Sequence, residues 1–299
     1  MKILMISLNF VFTLFTVLGL NSDQSLPLST HGDPDVFFRF KNLLVSIREQ
    51  TLEPEAAREE FKSIMREVRQ AYPAPAELKG SEGIVFPLAG SNYTAVGGGG
   101  TGYRDVGFDL FDHTVSGSHP AHDIFILDRN YDCVDDRKNK YIDIVSVGNG
   151  IVLATEKNWQ DTSSYRGGNY VWVYDFERGG LWYYAHHRKV VVEPGQIVAP
   201  GDKLGEVGRT GFNAINKRSD THLHLMFLAL EEDLLPCPVN HFAWLKQAKT
   251  VELSSSPQYG PRIKWTANSL KKPSTRLLKS RFTTMTINYK KKKPSYRKV

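Results

Sequence analysis

The stretch DTHLHLMFL, residues 220–228, sets His222 and His224 one residue apart, in step with Met226, while Leu223, Leu225 and Phe227 alternate with them. A period of two belongs to a β-strand, so both imidazoles leave the same face of a sheet. Such a pair suits a metal site or a solvated surface, and the partners decide. Upstream, GSHPAHDIFIL places His119 and Asp123 four residues apart, with Asp123 opening an alternation through Ile124, Phe125 and Ile126. Pro120 argues against a helix interior, so His119 belongs to the loop that enters the strand carrying Asp123. His122 has the wrong parity to join them. His119, Asp123 and one of the two strand histidines would supply two nitrogens and one oxygen, a three-ligand set with a fourth tetrahedral position for water, which implies catalysis. Cys133 and Cys237 are the only cysteines and form no CxxC cluster, which excludes thiolate-bound zinc.

A third segment, LWYYAHHRKVVVEPGQIVAPGDKLGEVGRTG, brings His186 and His187 to the end of an aromatic strand. The order HxxxD, YxH, VxxGQxVxxGxxxGxxGxTG and HLH resembles the lysostaphin-type zinc metallopeptidases that cut peptidoglycan cross-links. The resemblance covers roughly residues 83–230. Carried over residue by residue, it implies that His119, Asp123 and His224 bind one zinc ion and that His186 and His222 are catalytic histidines that do not ligate. His187 stands where a leucine commonly follows the catalytic histidine, and HPAHD replaces a more frequent glycine-containing version. No HExxH occurs to supply a glutamate base, and histidine can exchange protons near neutral pH.

The elements that would position these groups are mainly β. From about Gly83, short apolar runs separated by glycine turns indicate a compact antiparallel β-sheet catalytic domain with a groove, over residues 83–245. Before it, residues 20–82 hold a polar leader and a small helical hairpin. Helical spacing is seen in Phe37, Leu43, Leu44 and Ile47, then in Phe61, Ile64, Met65 and Val68, with Pro54 near a helix start and Pro73 ending the second helix. The hairpin reads as a packing appendage. The run Gly97 to Gly100 lacks the Lys-Ser/Thr ending of a phosphate loop and reads as a flexible loop. The insertion DRNYDCVDDRKNKYID carries Asp128, Asp132, Asp135 and Asp136, whose spacing matches no EF-hand and which reads as a solvated loop.

Both ends differ from the middle. Residues 1–19, with Lys2 before an apolar run, read as a secretory signal peptide, and no later segment is apolar enough to cross a bilayer. The protein is therefore expected to be exported, periplasmic or extracellular and cell-wall associated, where Cys133 and Cys237 can form one disulfide. The formal net charge is +6, yet residues 262–299 hold 13 Lys or Arg and no acid, leaving 25 basic against 32 acidic residues, a net of −7, before them. Residues 246–299 thus read as a basic, mobile tail that could dock on an anionic envelope polymer.

The leading expectation is a secreted zinc metalloendopeptidase hydrolysing peptidoglycan peptides through a zinc-activated water. A catalytically inactive relative that binds the wall or activates an amidase is the runner-up, against which the complete ligand set speaks. A lipoyl or biotinyl carrier would need a modifiable lysine at a hairpin tip, and the export signal with no recognition motif speaks against specific nucleic-acid binding.

Overall fold

The computed structural model describes residues 34–75, 79–80, 82–112 and 117–252. The signal peptide and most of the basic tail expected from sequence lie outside these residues. Two helices come first, α1 (Pro34–Arg48) and α2 (Pro54–Ala71), and Pro54 supplies the first helical position, where a missing N–H costs nothing. In α1 the fully buried positions are Val36, Phe40, Leu43 and Ile47, so the inward stripe runs through Phe40, and Phe37 and Leu44 sit at its edges. The stripe differs from the sequence-based one because the sheet below, not only α2, receives it. Phe40 meets Trp172 edge-on at 6.0 Å and Phe61 at 6.3 Å.

The strands are β1 (Ala121–Phe125), β2 (Asp143–Val145), β3 (Gly150–Glu156), β4 (Asn169–Asp175), β5 (Gly180–Val190), β6 (Ile197–Val198), β7 (Lys203–Val207), β8 (His222–Leu230) and β9 (Pro236–Pro238), with short helices α3 (Phe212–Ile215) and α4 (Phe242–Gln247). All pairings are antiparallel, in the order β1-β8-β5-β4-β3-β6, with β7 on β2 and β5 and β9 on β8. The architecture is mainly antiparallel β preceded by a helical hairpin. Among the described residues no helix is long and apolar enough to cross a membrane.

The sheet is buried on both faces, so β4, NYVWVYD, is buried at every position. Leu223, Leu225 and Phe227 of β8 join one core with Val171, Val173, Trp182 and Tyr184. Met226, Leu228 and Leu230 join the other, with the hairpin and Trp172. His222 and His224 have the parity of this second set. One face of β8 is therefore polar at its start and core-forming under the hairpin.

Several loops are more ordered than their composition indicates. Gly97 to Gly100 forms a tight turn in which Gly98 and Gly99 take left-handed backbone angles, with φ +56° and +60°, and a Cβ on Gly97 would lie 2.6 Å from the Phe125 ring. The acidic insertion is not simply solvated: Asp128 and Asp135 are buried. Asp135 accepts the backbone N–H groups of Leu127, Arg137 and Lys138 at 2.9–3.2 Å, and Asp128 accepts those of Asp132 and Cys133. These carboxylates replace the missing backbone partners of an irregular segment.

The disulfide admitted by sequence is absent, and both cysteines are free. Asp128 binds the Cys133 N–H at 2.9 Å and the Thr221 hydroxyl at 2.5 Å, which ties Cys133 to the start of β8. Cys237 pairs with Ala229 near the far end of β8. From His222 to Ala229 is a span of about 23 Å of extended chain, far beyond the roughly 7 Å that a disulfide allows between Cα atoms. Burial first, then Asp128, also pushes the Cys133 thiol up to about 11. Thiol titration of unreduced, denatured protein is expected to count both thiols; a count of none would contradict this placement.

Candidate active site

Asp123 of β1 and His224 of β8 are direct cross-strand partners, so their side chains rise together from one face. His224 Nδ1 lies 3.0 Å from Asp123 Oδ1, and His119 Nε2 lies 3.3 Å from the same oxygen. His119 stands ahead of β1, held by a backbone bridge to Arg104, as its position after the turn and before Pro120 requires. Its Nδ1 faces the Gly102 carbonyl at 3.1 Å. A carbonyl only accepts, so Nδ1 carries a hydrogen, which leaves Nε2, on the Asp123 side, as the nitrogen available to a metal ion. The ligating atoms of His119, Asp123 and His224 all lie within 4.8 Å of one another, a group compact enough to enclose a metal ion. Burial raises the Asp123 carboxyl, but hydrogen bonds from His119 and His224 and the neighbouring imidazoles outweigh it and hold the group far below the carboxylate range. It is an anion facing two histidine nitrogens.

His222 and His186 complete the cluster, with ring centroids 4.7 Å apart. His222 Nε2 is 3.6 Å from Asp123 Oδ1, farther than either neighbour, and its Nδ1 donates to the Asp220 carbonyl at 2.6 Å. His186 Nδ1 donates to the Thr210 carbonyl at 2.7 Å. Both rings are buried and keep Nε2 as an acceptor. Burial first, then His222 and His224, holds His186 well below the ordinary histidine value, and burial likewise lowers His222.

Simple alternation along β5 would point His186 away, because Tyr183 and Ala185 pair with Met226 and His224 and own the site face. His186 instead has φ +66°, at a register irregularity in the pairing of β5 with β4 and β7. A bulge re-aims the side chain onto the site and sends His187 the other way. There His187 is fully buried, with neither ring nitrogen hydrogen-bonded. A left-handed residue, and not alternation, thus turns His186 toward the cluster and His187 away from it. Gly211, at φ +103°, is required opposite: a Cβ would lie 2.8 Å from His186 Nδ1 and 2.1 Å from the Arg166 carbonyl oxygen.

His122 takes the opposite face, as parity indicates, with its Nε2 at 3.0 Å from Asn240 Oδ1 and its ring against His241. The orienting carbonyls of Gly102, Thr210 and Asp220 were not foreseen. Only the threonine-glycine ending of the third motif hinted at one of them.

A model described as peptidase family M23 matches residues 130–236. The match spans about a third of the chain. The matched segment contains His186, His222 and His224 and begins after Asp123, so His119 and Asp123 enter the site through the β1–β8 pairing. No curated protein matches the chain. Among solved structures, the catalytic domain of the antimicrobial peptidase lysostaphin from Staphylococcus simulans is 25% identical, over 38% of this chain and 68% of that one, with a TM-score of 0.28. The lytM protein of Ruminococcus gnavus, described as a glycyl-glycine endopeptidase, is 18% identical over 76% and 92% of the two chains, with a TM-score of 0.40. A zinc-containing peptidase from Vibrio cholerae is 18% identical, with a TM-score of 0.29, over 57% of this chain but only 38% of its own.

Proposed function

We propose that this protein is an exported zinc endopeptidase that hydrolyses peptide cross-links or stem peptides of peptidoglycan. The observation that carries the reading is the convergence of His119, Asp123 and His224 on one point, with two further histidines beside it whose Nε2 atoms are free to accept. Two imidazoles and one carboxylate suit zinc and leave a coordination position open. A bound zinc lowers the pKa of its water to about 7 and polarises a carbonyl. His119, Asp123 and His224 would hold the ion. His186 and His222 would accept the proton released as the amide carbonyl is attacked and return it to the leaving amine, since each is held neutral with Nε2 exposed to the site. The carbonyls of Thr210 and Asp220 orient the two rings for this. The convergence of the candidate ligands and of both candidate proton-transfer histidines supports hydrolysis over the inactive alternative.

The N-terminal apolar run supports export, and the basic residues after Arg262 support docking on an anionic wall polymer. Domain limits at residues 19, 82 and 245 belong to the same reading. The test is digestion of purified walls of different cross-link chemistry, with products identified by mass spectrometry. New amine and carboxyl termini at one cross-link type are expected, and intact walls under zinc-replete conditions would defeat the proposal. Sedimentation with the same walls, for the full chain and for a truncation before Arg262, reads the tail. Salt-sensitive binding lost on truncation is expected, and unchanged binding would reject docking.

A further inference from the structure

The hairpin and the histidine cluster share one face of the sheet, and a cavity of about 740 Å³ is lined by residues that adjoin each of them. Its lining includes Ser118, next to His119, and Tyr183, whose ring is 6.1 Å from that of His224. It also includes Arg48, the last residue of α1. The hairpin grips the chain on both sides of this space. Lys41 of α1 donates to the Thr155 carbonyl at 2.7 Å and pairs with Glu156, while Arg58 of α2 pairs with Asp109 and Phe61 packs on Phe111 at 5.4 Å. These bonds fix the hairpin beside the cavity, which Arg48 lines.

Arg48 is the unusual member of that lining. Its guanidinium carbon lies 3.9 Å from the centroid of the Tyr165 ring, which fixes the plane of the group. The Tyr165 hydroxyl donates to Glu49 at 3.1 Å and holds the ring in turn. Glu49 stands 3.5 Å from Arg48 Nη2, at the limit of a hydrogen bond, and the buried Nε has no acceptor among the described residues. Asp109 and Glu156 are committed to Arg58 and Lys41, and Asp112 is itself engaged. Arg166, exposed, adds positive charge to the lining. A guanidinium held flat in the cavity lining matches the two oxygens of a carboxylate.

We propose that Arg48 is a specificity-determining residue that binds a free carboxylate of the peptide lying in this cavity. The proposal rests on the peptidase reading above and deepens it. The hairpin lies outside the segment that matches the family model, so this selectivity would be the chain's own. The probes are cross-linked muropeptide dimers in paired forms, with free carboxylates and with those carboxylates converted to amides. Native protein is expected to favour the acid form roughly 10- to 100-fold in kcat/KM, mainly through KM. In Arg48→Gln that ratio falls close to one, and Arg48→Lys, which keeps charge without the fork, retains part of it. A purely structural arginine would slow both substrates alike and leave the ratio intact, which would overturn the proposal, as would a native enzyme with no preference. Should native protein cleave neither dimer, the peptidase reading fails separately, and calorimetric titration with the same dimers decides. Tighter binding of the acid form, lost in Arg48→Gln, supports the carboxylate site, and equal binding rejects it.

Discussion

Replacing Asp123 with alanine is expected to strip the bound zinc and with it all measurable turnover. The carboxylate is the only anion in the cluster, and His119, His224 and His222 all turn a nitrogen toward its Oδ1, at 3.3, 3.0 and 3.6 Å. Without it, three imidazoles would crowd a site with no negative charge, and a divalent cation would lose a ligand and a neutralising group together. Even an outer-shell partner of a metal site is worth about 10- to 100-fold in affinity, so loss of a direct ligand should exceed that. Metal analysis of native protein should find one zinc per chain, and chelator competition should show the fall in the variant. The decisive case is the double change of His119→Ala with Asp123→Ala. Zinc still present at one per chain in that protein would refute the ligand assignment, because His224 alone cannot retain it.

The candidate cluster, though not which strand histidine would ligate, was legible for a simple physical reason. Strand alternation puts His222 and His224 on one face, and the direct pairing of Asp123 with His224 converts two separate sequence patterns into one locus. The antiparallel sheet followed from the glycine-punctuated apolar runs. Less was legible where backbone departs from its period. His186 reaches the site only because it adopts a left-handed conformation at a bulge, and no alternation rule contains that. Asp128 and Asp135 read as solvent-facing acids because their acceptors' partners are backbone N–H groups, which composition does not reveal. Arg48 could not be read at all. Its role depends on the hairpin folding back over β3 and β4, so that a helix end meets Tyr165 more than a hundred positions later.

The remaining large effect concerns the two histidines assigned to proton transfer. His186→Ala and His222→Ala should each reduce kcat by about 100- to 10,000-fold, the usual contribution of a positioned acid or base, while the zinc content stays at one per chain. Geometry motivates the separation of roles. His186 Nδ1 is committed to the Thr210 carbonyl, so its ring is oriented by the chain and not by the metal ligands. His222 is oriented likewise by Asp220, but its Nε2 is near enough to Asp123 that a share in ligation is the competing outcome. Zinc analysis of His222→Ala separates the two: retained metal with lost turnover supports proton transfer, and lost metal makes both strand histidines ligands. The double variant should be little worse than either single one, because groups that serve one proton path act as a unit. His187→Ala is the control. That ring is buried on the other side of the bulge with no hydrogen-bond partner, so its removal should reduce stability through the space left behind and leave the chemical step of correctly folded protein near native. A loss of turnover in folded, zinc-loaded His187→Ala as large as that in His186→Ala would mean that the bulge, and not His186 itself, is what catalysis requires.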